Sequence, residues 1–167
     1  MKRRRLLTPL MILTLVMLAG CAPTGGIDVD PDLDVLGAKK VAQDMELSLA
    51  EFVPPAEVAS VDQAEESGLL SCGTDHAFQW AGHTNVHLIG ASETAAIMDA
   101  VVAAYVEKTG YTAIRETLDD GVPSVQVRGP HGSVYMMALS VDRTYIQILS
   151  FSPCFRLADG LHPRDTY

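Results

Sequence analysis

The side chains of this 167-residue chain that could do chemistry begin with its five histidines. From His76 to Ile89 polar and apolar residues alternate, which predicts a long strand with Thr84, Val86 and Leu88 on one face and His83, Asn85 and His87 on the other. Four residues of strand cover about 13 Å, while each bond to a zinc ion is about 2 Å. His83 and His87 therefore cannot both ligate one metal, and a metal site would need His76, His131 or His162 brought in by the fold. The plain reading is two polar strand positions facing solvent. Nucleophilic catalysis needs a Ser or Cys beside a base, and the chain has neither a Gly-x-Ser-x-Gly elbow nor a Ser-x-x-Lys pair. Gly129 to Gly132 sits between strand-like runs and reads as a turn, not as a phosphate loop. Glu65-Glu66 and Asp119-Asp120 are paired carboxylates in polar, turn-like surroundings, where solvation accounts for them. Asp28, Asp30 and Asp32 have the spacing that opens a calcium loop, but the Gly and Glu such a loop requires are replaced by Leu33 and Lys39. No catalytic residue, metal or cofactor follows from these patterns.

The N-terminus addresses the chain. Lys2 to Arg5 are basic, Leu6 to Leu18 are an apolar run, and small residues lead into Cys21, the layout of a secretory signal. About 20 residues are needed to span a bilayer, so this run is too short. Leu18-Ala19-Gly20-Cys21 resembles the lipobox of bacterial lipoproteins, which implies that Cys21 is lipidated, by palmitate among other acyl chains, and becomes the mature N-terminus. Residues 1–20 are thus expected to be a removed signal peptide. Four of the 12 basic residues lie in it, leaving 8 against 21 acidic residues and a formal charge of −13. Such a surface argues against nucleic acid, whose phosphates are bound by clustered Lys and Arg, and leaves the lipid on Cys21 to hold the membrane.

Residues 21–33 read as an acidic tether, rich in Gly, Pro and Asp. Residues 34–157 read as one domain and 158–167 as an irregular tail that frays. Asp34 to Phe52 is predicted to be an amphipathic helix with Leu36, Val41, Met45, Leu49 and Phe52 on its buried side and Glu46 among the polar residues opposite. Pro54-Pro55 stops it, and Ala56 to Ser71 follows as a polar connection. Ser92 is the expected cap of a long helix to Thr109, with Ile97, Val101, Ala104 and Tyr105 buried and Gly110 terminating it. Strands are predicted at Tyr111 to Leu118, Ser124 to Arg128, Ser133 to Val141 and Thr144 to Ser152, joined by turns short enough to make them antiparallel. The fold class is therefore α+β: an antiparallel sheet of about five strands, one long helix on a face, an additional N-terminal helix and one disulfide. Trp80 is expected in the core.

With Cys21 acylated, Cys72 and Cys154 are the remaining thiols, and an even pair in an exported domain reads as a disulfide. Neither has a second Cys two to four residues away, so a zinc knuckle is excluded. The lipobox together with Ser71-Cys72-Gly73, Phe78 to Gly82, Gly129 to Ser133 and Ser152 to Arg156 resembles small actinobacterial lipoproteins. The resemblance implies export, anchoring outside the cytoplasmic membrane and pairing of Cys72 with Cys154; it carries over no catalytic or binding residue. The function expected is a membrane-anchored, non-enzymatic accessory or binding module of the cell envelope, with the membrane and an envelope protein as partners and a small-molecule ligand undefined. The alternatives are an envelope hydrolase or metal-dependent enzyme using His83, His87 or His131, and a structural spacer.

Overall fold

The computed structural model describes residues 28–73, 76–119 and 121–167; the expected signal peptide, Cys21 and Asp120 lie outside the described residues. The first helix, α1, spans Val35–Ala50. Asp34 caps it, its carboxylate accepting from the Gly37 N–H at 2.7 Å, which satisfies one of the donors that a first turn leaves open. After a short 3₁₀ turn at Pro55–Glu57 come β1 (Val58–Gln63), β2 (Leu69–Ser71) and β3 (Ala77–Leu88). The second helix, α2 (Thr94–Val106), leads to β4 (Thr112–Thr117), β5 (Pro123–Arg128), β6 (Val134–Leu139), β7 (Tyr145–Phe151) and β8 (Phe155–Arg156).

The class is α+β with an antiparallel sheet, but the sheet has eight strands where about five are expected. Its order is β1-β3-β7-β6-β5-β4, with β2 and β8 paired to the first part of β3. Two of the additional strands, β1 and β2, occupy the stretch read as a polar connection. A register shift between Val58 and Ser60 explains why β1 escapes a period-two pattern: a bulge inserts a residue, so Val58 pairs with Leu88 and Val61 with Val86 although they are three apart. The longer helix is the N-terminal one, 16 residues against 13 for α2. Glu93, not Ser92, occupies the cap position of α2, without a side-chain capping bond. Gly110 follows the helix with φ of 83°, a conformation that glycine adopts without steric cost.

Both helices lie on one face of the sheet, α1 over β3 and β7 and α2 over β4 and β5. Met45 and Leu49 of α1, Ile97, Met98 and Val101 of α2, and Val86, Val127, Met137, Ile146 and Ile148 of the sheet form one apolar core. The buried side of α1 differs from the amphipathic reading. Ala38, Ala42, Met45, Glu46 and Leu49 face inward, whereas Leu36 is 65% and Val41 38% exposed. The two alanines let the helix approach the sheet, and Glu46 finds donors there: Thr84 Oγ1 at 2.7 Å, Gln63 Nε2 at 2.8 Å, and Ser150 Oγ. Ala104 is likewise exposed. Gly82 is required beneath this cluster, since a Cβ there would lie 2.0 Å from the Trp80 ring and 2.9 Å from Glu46 Oε1.

Both ends of the described domain are tied down. Asp30 bridges to Phe155, its N–H donating to the Cys154 carbonyl at 2.8 Å, and Leu33 packs with Val35, Ala38 and Phe155. Residues 28–33 are therefore docked, not a free spacer. The tail from Ala158 is irregular but does not fray: Tyr167 exchanges backbone hydrogen bonds with Ser67, and its carbonyl accepts from the fully buried Trp80 Nε1 at 2.9 Å. Cys72 and Cys154 form the expected disulfide, with their Cα atoms 6.3 Å apart. No described helix is long and apolar enough to cross a membrane.

Candidate functional site

The face of the sheet opposite the helices carries no helix among the described residues, and the pairing registers determine which side chains meet on it. Glu116 of β4 is opposite Ser124 of β5, Ser124 opposite Ala138 of β6, Ala138 opposite Gln147 of β7, and Gln147 opposite Asn85 of β3. The neighbouring row runs Ile114, Gln126, Met136, Leu149 and His83 by the same registers. Directly opposed side chains are about 4.5–5.5 Å apart at Cβ. Ser124 and Ala138 are short, and the residues around them are long. A cavity of about 340 Å³ opens over this pair, walled by Met136, Leu149, Leu118, Tyr145, Gln147 and Glu116. That volume is at the small end of ligand pockets, and the mostly apolar wall with a few polar groups is their usual composition.

The polar groups of the cavity are few and distinct. Gln147 Nε2 is occupied by Asn85 Oδ1 at 3.3 Å. Ser124 is 6% exposed, and its hydroxyl has no hydrogen-bond partner among the described residues. A buried hydroxyl left unpaired costs about 1–3 kcal/mol, so this one is an expense the fold bears at the floor of a cavity. Among the described residues Glu116 is the one carboxylate in the wall, and no Lys or Arg lines it. The Arg115 guanidinium lies beyond the cavity wall, held by Asp99 at 3.0 Å and by the carbonyls of Glu116 and Ser124. In the β6–β7 turn at the rim, Asp142 accepts from the hydroxyls of Ser140 at 2.6 Å and Thr144 at 2.8 Å, and these bonds hold its carboxyl below the usual range. The same turn exposes Val141 by 89%.

The histidines singled out from the sequence are not brought together. His83 and His87 share the open face of β3, and the His87 ring packs on Tyr145 with centroids 5.6 Å apart. His131 lies in the β5–β6 turn at the far end of the sheet, with φ of 51°. Its Nδ1 is 2.9 Å from the Asp28 carboxylate, without hydrogen-bond alignment, and its Nε2 is 3.7 Å from Asp30, contacts that become ion pairs when the imidazole is protonated. Asp28 and Asp30 of the supposed calcium spacing thus lie against the β5–β6 turn, where the Asp30 backbone also bonds Cys154. His76 borders a more open, polar hollow of about 490 Å³ with Ser71, Asp159 and Pro163, built largely on the irregular tail. Among the described residues no three His, Cys, Asp or Glu side chains are grouped to hold a metal.

Glu116, Ser124 and Ala138 were not singled out by sequence. The available signal was weak: short residues among long ones at even-numbered positions of β4, β5 and β6 line up only when the registers are known. No family model, curated protein or solved structure matches the chain.

Proposed function

We propose that the chain is a lipid-anchored binding module outside the cytoplasmic membrane, and that the cavity on the open sheet face is its binding site. The observation that carries the reading is a mostly apolar cavity, floored by a buried hydroxyl without a partner among the described residues, on a face that no described helix covers. Its position suits a tethered protein. The cavity lies at the end of the sheet bearing the β4–β5 and β6–β7 turns, whereas Asp28 meets His131 at the opposite end, beside the disulfide. From a lipidated Cys21 to Asp28 the chain reaches at most about 25 Å. Anchored there, the disulfide end would stay near the bilayer and the cavity would be directed away from it. The disulfide suits the oxidising space outside the cytoplasm, and the resemblance to actinobacterial lipoproteins supports the same address.

A neutral apolar probe tests the site. Calorimetric titration of the full chain with 1-hexanol should give one saturable site, and Ala138→Leu, which fills the cavity from its floor, should abolish it while leaving the circular dichroism spectrum unchanged. Heat that is unsaturable and equal in the two chains would overturn the reading.

A further inference from the structure

Building on that site, we infer that its ligand is an apolar amine, an aliphatic or aromatic body carrying a protonated nitrogen, with Glu116 as counter-ion and Ser124 as hydrogen-bond acceptor. Three observations converge. The wall contributed by Leu118, Met136 and Leu149 is apolar, which selects a hydrocarbon body. Among the described residues Glu116 is the only carboxylate of the wall, no lining side chain is cationic, and none of the ion pairs uses it. Ser124 faces Glu116 directly across β4 and β5, and its hydroxyl has no partner among the described residues.

The orphan hydroxyl distinguishes the ligand. Because Ser124 Oγ makes no hydrogen bond among the described residues, turning it about χ1 into the cavity forfeits none of their contacts. An ammonium group at this place has three donors. It can give one to Glu116 and one to Ser124 while its apolar body lies over Ala138 between Met136 and Leu149. A carboxylate ligand would instead meet Glu116 as a like charge, and Asp142, held ionised at the rim, adds to the repulsion. Arg143 lies in the rim turn beside Asp142, outside the cavity lining.

The shared chemistry, a protonated amine on an apolar body, occurs in free small amines and in the terminus or lysine of a short apolar peptide. Hexylamine, 1-hexanol and hexanoate share one chain length, and titrating each into the full chain by calorimetry, with the Ala138→Leu chain subtracting partition, isolates the head group. Hexylamine should bind about tenfold more tightly than hexanoate, with hexanol between them. Glu116→Gln should erase that order, and Ser124→Ala should weaken hexylamine about fivefold. A Leu-Lys dipeptide amide added as a further probe distinguishes the sources: tighter binding than hexylamine assigns the site to peptide, weaker binding to free amines. If hexanol saturates one site but hexanoate binds as well as hexylamine, or Glu116→Gln leaves the order intact, the amine assignment is overturned while the binding site stands. If hexanol itself finds no saturable site, both fall.

Discussion

Replacing Glu46 tests what joins α1 to the sheet. Its carboxylate is fully buried and has three neutral donors: Ser150 Oγ at Oε1, and Thr84 Oγ1 at 2.7 Å and Gln63 Nε2 at 2.8 Å at Oε2. Glu46→Ala removes the acceptor for all three at once. Thr84 and Ser150 are themselves fully buried, and each buried donor left unsatisfied costs about 1–3 kcal/mol, so the two hydroxyls together cost about 4 kcal/mol. That is a large part of the roughly 5–15 kcal/mol by which a domain is stable. Glu46→Gln keeps the shape. An amide oxygen at the Oε2 position still serves Thr84 and Gln63, and the amide NH₂ at the Oε1 position donates to Ser150, whose hydroxyl rotates to accept. Only charge assistance is lost, about 1 kcal/mol. Urea unfolding should therefore show losses of about 4 and about 1 kcal/mol with an unchanged m value. Equal losses in the two variants, or a loss below about 1 kcal/mol in Glu46→Ala, would refute the account of this cluster.

Three further outcomes are expected. Cys72→Ser and Cys154→Ser should destabilise alike, by at most about 4.5 kcal/mol for the 82-residue separation in the loop-entropy model, and the double variant should be no worse than either; additive losses in the double variant would contradict the pairing. Cys21→Ala should leave uncleaved precursor or release the protein from membranes, and equal processing and retention would sink the anchor. Burial pushes the Tyr135 phenol up to about 12 from 10.0. The fold thus favours the neutral phenol, so its stabilisation is complete below pH 10.0 and is lost as pH rises through about 12. Two pKa units correspond to about 2.7 kcal/mol. Tyr135→Phe should flatten that alkaline decline in denaturation midpoints, and an identical decline in the variant would show that other groups cause it.

Sequence by itself determined the features that are local or covalent. The alternation of Thr84 and Val86 with His83, Asn85 and His87 placed the two faces of β3, because side chains on a strand change sides at every residue. The short turns after β5 and β6 required antiparallel neighbours, and Cys72 and Cys154 were legible as a pair that the structure shows joined. Tertiary structure decided the rest. The bulge hides β1 from a period-two search, and β2 and β8 are too short to show any period, so they are strands only because β3 supplies their hydrogen bonds. The inward turn of Glu46 depends on donors 17, 38 and 104 residues away. The cavity depends on Ser124 and Ala138 falling opposite one another between longer side chains, a consequence of register. Register is set by long-range pairing and by which face the helices cover, and no window of the sequence contains that information.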